Sequence, residues 1–510
     1  MPPRDGSPPG LVHPLDEANR RHLANVHPDG YVNPDPKSRY HLVVIGAGPG
    51  GLVTAAAAAA LGARVALVER RLMGGDCLNV GCVPSKALIR AARAWHETRR
   101  GAEAFGAPAV SGPGDFGAAM RRMRRLRADL SKTDSVRRYR DLGVDVFLGE
   151  GRFAGPDAVE VNGARLVFRR CVIATGARPT IPPVPGLAEA APLTNETVFS
   201  LESLPERLAV IGAGAAGCEL AQAFARFGSR VTLLEAAPRI LPREDPDAAR
   251  LVEASMTRDG VVVQAGVALE RVERRGAGAA IHVRQGGRLE TVVADAILVA
   301  TGRTPNVESL DLARAGVACG PGGVTVDDRL RTTNPRVYAI GDVCSRLQFT
   351  HVADAQARLV VANALFFGRG KASRLVVPRC TYTSPEVAHV GMSAADAARA
   401  GIPAETITVP LEEVDRAVLD GATEGFLRVH VEAGGDRILG ATIVAEHAGD
   451  IVGELALACT AGIGLGAIAR TIHPYPTQAE VVRKAADAWR RRKLTPGVKR
   501  LLSALFRVRR

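Results

Sequence analysis

The chain has few aromatic residues: Phe, Trp and Tyr make up 4% of 510 residues, with two tryptophans among them. Cysteine is also sparse. The eight present show none of the regular spacing of a secreted disulfide scaffold, so most are expected to be buried thiols in a reducing, cytoplasmic setting. No stretch approaches the roughly 20 apolar residues needed to span a bilayer. The longest candidate, Leu52 to Ala63, is Ala-rich and stops at Arg64. The start, Met1 to Gly10, is polar and rich in Pro and Gly, without the apolar core of a signal peptide. A soluble protein is expected.

The length implies roughly three or four domains of about 100–200 residues each. With 46% apolar residues and abundant Gly and Ala, the composition suits Ala-rich helices packed closely on sheets. The net charge of +13 is unevenly placed: nine Lys/Arg and no acid fall between Arg490 and Arg510.

Tyr40 to Ile45 (YHLVVI) reads as a buried strand. GAGPGG, an Ala-rich helix and a second strand, Arg64 to Glu69, follow it. The same order recurs downstream: LAVI at 208–211, GAGAAG, a helix from Cys218 to Phe227, then Arg230 to Glu235. Two copies of a nucleotide-binding unit predict two bound dinucleotides. Each copy leads, about 100 residues on, to a near-identical phrase: VIATGAR at 172–178 and LVATGR at 298–303. Gly101 to Leu142 reads as helical, Arg-rich and solvated. After Pro378, strands and then helices mark a separate domain.

In the first turn, Gly46 permits a tight bend, Gly48 close approach of a pyrophosphate, and Gly51 close helix–strand packing. The helix N-terminus offers N–H groups to phosphates. Glu69 is placed to accept from a ribose diol. Gly212, Gly214, Gly217 and Glu235 repeat the pattern. An acid at 235 repels a 2′-phosphate and favours NADH over NADPH, although Arg239 and Arg243 lie near enough to meet a phosphate. Between the copies lies GGDCLNVGCVPSK, Gly74 to Lys86, with Cys77 and Cys82 five apart. A zinc site would need two further ligands, and no second close cysteine or Cys/His cluster supplies them, so no metal site is expected. A redox-active dithiol is the better reading.

This phrase, the two glycine turns and YAIGDV at 338–343 resemble the pyridine nucleotide–disulfide oxidoreductases, which include dihydrolipoyl dehydrogenase, glutathione reductase and mercuric reductase. The resemblance runs from Tyr40 to about Asp487. It implies an α/β fold with two Rossmann-like domains, for FAD and NAD(P), and a C-terminal α+β dimerisation domain. The expected boundaries are a 1–39 extension as a surface arm, FAD domain 40–194 and 329–377, NAD(P) domain 195–328, interface domain 378–489, and a basic tail 490–510. Cys77 would meet the acceptor and Cys82 would lie against the flavin. Lys86 and Glu219 would sit near the flavin and nicotinamide. Gly75, Thr175–Gly176, Thr332–Thr333 and Gly341–Asp342 would flank or bind the flavin, and Gly302 would belong to the cofactor contacts.

The C-terminal phrase IHPYPTQAE departs from the thiol-reducing members. Their general base is a His immediately before Pro-Thr, supplied by the partner subunit; here Tyr475 stands there, with His473 two residues earlier and Glu480 retained. A phenol with ordinary pKa near 10 is a poor base at neutral pH. A Tyr here resembles mercuric reductases, although neither an N-terminal Cys-x-x-Cys domain nor a C-terminal vicinal Cys pair is present. The expected acceptor is Hg(II), another soft metal or a disulfide. Dihydrolipoyl dehydrogenase chemistry is the alternative, and a membrane-associated electron relay a third reading. A homodimer is expected. In the tail, Val498, Leu501, Leu502, Leu505 and Phe506 recur at helical spacing among Lys and Arg, the pattern either of a helix packed on the protein or its dimer mate or of a membrane-surface helix, which would make the cytoplasmic chain peripheral at the inner membrane face. Few aromatics interleave these charges, so nucleic acid is not an expected partner.

Overall fold

A computed structural model describes residues 12–276 and 278–509. The polar start Met1 to Gly10 lies outside them. Tyr40–Ile45 forms the centre of the first sheet because its side chains are buried on both faces. It runs parallel to Val65–Glu69 on one side and to Ala164–Ile173 on the other. Asp145–Leu148 extends the sheet beyond Val65–Glu69, and Val337–Ala339 pairs parallel with Ala164–Ile173. The second unit repeats the plan with four parallel strands, ordered Val262–Ala265, Arg230–Glu235, Arg207–Ile211 and Ala296–Val299.

The glycine turns pack alike in both copies. Gly46 has φ +102°, and a Cβ there would lie 2.4 Å from the Ala174 carbonyl oxygen. Gly212 has φ +99°, with the Ala300 oxygen at 2.7 Å from such a Cβ. The repeated ATG phrases are therefore what each turn rests on. Helices Pro49–Ala60 and Ala215–Phe227 then approach so closely that a Cβ on Gly51 would sit 1.8 Å from the Gly46 oxygen, and one on Gly217 1.9 Å from the Gly212 oxygen.

The chain leaves the first unit at Ala177–Pro179 and returns at Arg303–Pro305, and these short strands pair with each other. The boundary expected at 328 is corrected here. Leu310, Leu312, Val317 and Val324 pack against Tyr40, Val43 and Phe168, so their apolar surface is buried in the first unit. Likewise Leu187, expected in the first unit, packs with Ile211 and Val299 of the second.

Two further expectations are corrected. Residues 12–39 are not a loose arm: helix Glu17–Val26 is capped by Asp16 and packs on the protein, with Val26 fully buried. Beyond it, Tyr31 donates to the Val146 carbonyl, and Asn33 both donates to and accepts from the Leu148 backbone, which covers the outer edge of the first sheet. Helix Phe116–Leu130 is not simply solvated: its Met120 and Met123 are in the core, and Arg127 is only 1% exposed.

The C-terminal domain is a five-stranded antiparallel sheet, ordered Arg379–Thr381, Glu386–Gly391, Ile438–Ala445, Phe426–Glu432 and Ala404–Pro410. Helices Ala448–Ala461 and Glu480–Arg492 pack on it. The tail forms a helix, Pro496–Val508, with no buried residue. Among the described residues, no helix is long and apolar enough to cross a membrane.

Gly217→Ala is expected to force Ala215–Phe227 away from its turn. Titration with the pyridine nucleotide that the resemblance implies for this unit should show at least a tenfold loss of affinity, with the dinucleotide expected in the first unit retained.

Candidate functional site

A cavity of about 250 Å³ runs from the first glycine turn to the two close cysteines. At the turn, helix Pro49–Ala60 starts at Gly48 with no side-chain cap. Gly75 faces Gly48 so closely that a Cβ would lie 2.6 Å from the Gly48 Cα. The floor of the turn is therefore bare backbone beside a helix N-terminus, a ready anion cradle. Glu69 closes this end. Its two carboxylate oxygens accept from the N–H groups of Ala47 (2.8 Å) and Arg71 (2.7 Å). Burial pushes its pKa up, against the pull of those two donors.

Glu235 is held by the same construction, accepting from Ala213 N–H at 2.6 Å and Ala237 N–H at 2.8 Å. The two turns thus fix their acids identically. Arg239 is corrected as a phosphate partner: its guanidinium donates to the carbonyls of Leu241, Pro242 and Glu244 at 2.8–3.0 Å.

At the other end of the cavity, Cys77 sits on the short helix Gly75–Asn79 and Cys82 opens the helix Cys82–Phe105. Gly81 permits their approach, since a Cβ there would meet the Asp76 oxygen at 2.7 Å and the Cys77 Cα at 3.3 Å. The Cys77 thiol hydrogen-bonds to Cys82, which lowers the Cys82 pKa to about 6 against the cost of burial. The Thr350 hydroxyl, 3.3 Å from Cys82 Sγ, and the Lys86 charge act in the same direction. Cys77 moves up, because it holds its proton toward Cys82 and is itself largely enclosed. The opposed shifts favour the thiolate at 82 over 77, and both residues line the cavity.

One helical turn after Cys82, Lys86 points the same way. Its Nζ lies 2.7 Å from Glu219 Oε2 and 4.6 Å from the centre of the Tyr382 ring. Glu219, nearly buried, also accepts from the Tyr382 N–H at 2.9 Å. The second unit and the C-terminal domain thereby join the cysteine helix at one ion pair.

Thr175, Gly176, Gly341 and Asp342 line the cavity. Thr332 and Thr333 do not: their hydroxyls bond to the backbone at Asn334, Gly316 and Ala318, so the expected flavin contact is corrected. Gly302 is outside the cavity as well, and its carbonyl accepts from Thr180 N–H. Arg303, which sequence reasoning passed over, lines the cavity and bonds to Asp76, with Asp342 Oδ2 3.4 Å from its Nε. Burial opposes its charge, but the two acids outweigh it. The repetition of ATGAR as ATGR within the chain was the available signal. Thr350, 268 residues from Cys82, carried none.

Tyr475, His473 and Glu480 lie in the C-terminal domain, and none lines the cavity of this chain. The Tyr475 hydroxyl donates to Asp415 at 2.8 Å, which raises its pKa further. His473 is turned to Glu454, with Nε2 at 3.0 Å, and its Nδ1 faces the Thr471 carbonyl at 3.2 Å. Glu480 is buried against Arg483.

Thr350→Val removes one stabilising contact from the Cys82 thiolate. In the reduced protein, thiolate absorbance is expected to rise through pH 6 in the wild type, and at distinctly higher pH in the variant. Cys82→Ser should abolish that transition.

Residues 40–357 match the family described as pyridine nucleotide-disulphide oxidoreductase, and residues 377–486 match its dimerisation domain. The chain is 36% identical over 458 residues to the mercuric reductase of Bacillus cereus, covering 90% of this chain and 72% of that protein. It is 36% identical over 467 residues to the dihydrolipoyl dehydrogenase of Thermus scotoductus, covering 88% and 97%. Among solved structures, the Cu(II) complex of the HOCl-induced flavoprotein disulfide reductase RclA from Escherichia coli is similar with a TM-score of 0.78 at 29% identity, covering 87% and 98%.

Proposed function

The chain belongs to the pyridine nucleotide-disulphide oxidoreductases, a family dependent on FAD and a pyridine nucleotide, and from that premise we propose that it reduces a soft metal ion, Hg(II) above all, through Cys77 and Cys82. The matched dimerisation domain supports a homodimer.

The first cavity suits FAD. Its bare glycine floor would hold the pyrophosphate, Glu69 and Asp342 would take hydroxyls, and the Cys82 sulfur lies at the far end. FAD, when bound, relays two electrons from the nicotinamide to the cysteine pair. Cys82 contributes a thiolate at neutral pH, and Cys77 keeps the proton of the reduced pair. Lys86 places a positive charge beside Cys82, and Glu219 fixes that charge from the second unit. Thiolate sulfur is a soft ligand, suited to Hg(II). One hydride from the nucleotide supplies the two electrons that take Hg(II) to Hg(0).

The observation that carries the choice of acceptor is the state of the C-terminal phrase. A thiol substrate needs a base, and Tyr475 is a phenol whose proton is held by Asp415. His473 has both ring nitrogens turned to neighbours in its own chain, Glu454 and the Thr471 carbonyl, rather than toward a substrate thiol. A thiolate-bound metal ion needs no such base. Glu235, fixed by two backbone donors, would hold the adenine ribose of the second nucleotide and so supports NADH, since a 2′-phosphate would meet its carboxylate. The purified enzyme is therefore expected to oxidise NADH fastest with Hg(II) in excess thiol, ahead of lipoamide, glutathione disulfide and quinones. The same assays should give a higher kcat/KM for NADH than for NADPH, and both Cys77→Ser and Cys82→Ser should stop turnover. Lipoamide outrunning Hg(II) would make the enzyme a dihydrolipoyl dehydrogenase instead.

The tail supports a second element of this reading, contact with an anionic membrane surface. Leu501 and Phe506 are 72% and 62% exposed on a helix that also carries Lys499, Arg500 and Arg507. Deleting 494–510 is expected to abolish co-sedimentation with vesicles containing phosphatidylglycerol. Equal sedimentation of both forms would remove the membrane contact.

A further inference from the structure

We propose that the N-terminal segment, outside the matched family domains, is a built-in brace for the cysteine loop, and that His22 is its positioning residue. The inference rests on the reading of Cys77 and Cys82 as the redox pair.

Asn79 is the hub. It ends the short helix that carries Cys77, and it is nearly buried. Its side-chain amide donates to the carbonyls of Met73 (3.0 Å) and Gly75 (2.7 Å). Those two bonds tie down the turn in which Gly74 and Gly75 adopt positive φ and Gly75 meets Gly48. The amide oxygen is left to a partner from outside the loop. That partner is His22 Nε2, at 2.7 Å, from helix Glu17–Val26.

The rest of the contact surrounds this bond. Arg127 donates to the Asn79 carbonyl at 2.7 Å and to Asn19 Oδ1 at 2.8 Å, joining loop to helix a second time. The Met73 N–H donates to the Val26 carbonyl at 3.1 Å. Val26 packs with Leu72, Met73 and Leu78. The helix itself is anchored independently of the loop, through Asp16 to Arg124 at 2.6 Å and Asn25 to Ser131 at 2.9 Å.

The chemistry of His22 fits a fixed donor. It is fully buried, and burial, with the Arg127 charge beside it, takes its pKa down to about 3. A neutral ring with the proton on Nε2 matches the Asn79 oxygen and leaves Nδ1 as a bare acceptor, buried with no partner among the described residues. The bond therefore holds across the whole working pH range. Removing it leaves Asn79 with a buried, unpaired oxygen, which is costly, and loosens the turn on which Cys77 rides.

The test uses the reduced holoenzyme. His22→Leu keeps an apolar side chain in the space and removes the donor. It is expected to speed iodoacetamide alkylation of Cys77 about five- to tenfold at unchanged flavin content, whereas His22→Gln, which can donate to Asn79, stays near the wild-type rate. A His22→Leu enzyme with lowered Tm but wild-type alkylation would overturn the proposal, since the segment would then serve stability alone. Should His22→Leu fail to hold flavin, hydrogen exchange on the wild type decides. Amides of 73–82 opening together with 17–26 would support the brace, and a loop that exchanges while the helix stays protected would overturn it. These readouts do not depend on the acceptor, so failure of Hg(II) reduction would leave them standing.

Discussion

The approach of each helix to its glycine turn is the contact on which the rest of the molecule depends. With less than 2 Å between the turn oxygen and any added Cβ at Gly51 or Gly217, the helices seat directly on backbone. That seating leaves their uncapped N-termini beside the bare turn backbone, as anion cradles. It also positions the strand after each helix, whose last residue, Glu69 or Glu235, is caught by a turn N–H. A single steric condition thus sets anion cradle and strand-end acid together, and does so twice.

Polar ties then connect the units to the cysteines. The Cys82 pKa is drawn down by three neighbours from separate places in the sequence: Cys77 five residues back, Thr350 from the far side of the second unit, and Lys86 one turn on. Lys86 in turn is held by Glu219 of that unit, and Glu219 by the backbone of the C-terminal domain. Each domain therefore has one atom-level stake in the electrostatics of the pair.

Much of this was legible in the sequence, and the reason is geometric. Gly46, Gly51, Gly212 and Gly217 announce themselves because no other residue fits, and Cys77 and Cys82 because nothing else places two thiols together. Glu69 and Glu235 follow from their distance to the turns. Less legible were positions decided by contacts between remote segments. Thr350 and Arg303 gain their meaning only when the chain folds back. Thr332 and Thr333 fit the family phrase, yet spend their hydroxyls on nearby backbone. Residues 12–39 lacked a strong apolar period, because their helix is fixed as much by His22, Asn19 and Asn25 as by apolar burial. The arginines of 116–130 suggested water, but Arg127 satisfies carbonyl and amide oxygens inside.

The paired strands at Ala177–Pro179 and Arg303–Pro305 bring the two ends of the second unit to one neck, closed by the Thr180–Gly302 bond at 3.0 Å. A module that enters and leaves its host at a single point can be inserted or exchanged as a cassette. The host sheet, whose strands Ala164–Ile173 and Val337–Ala339 lie side by side across the gap, runs unbroken beneath it, so the second unit hangs from the first without interrupting its hydrogen-bonded frame.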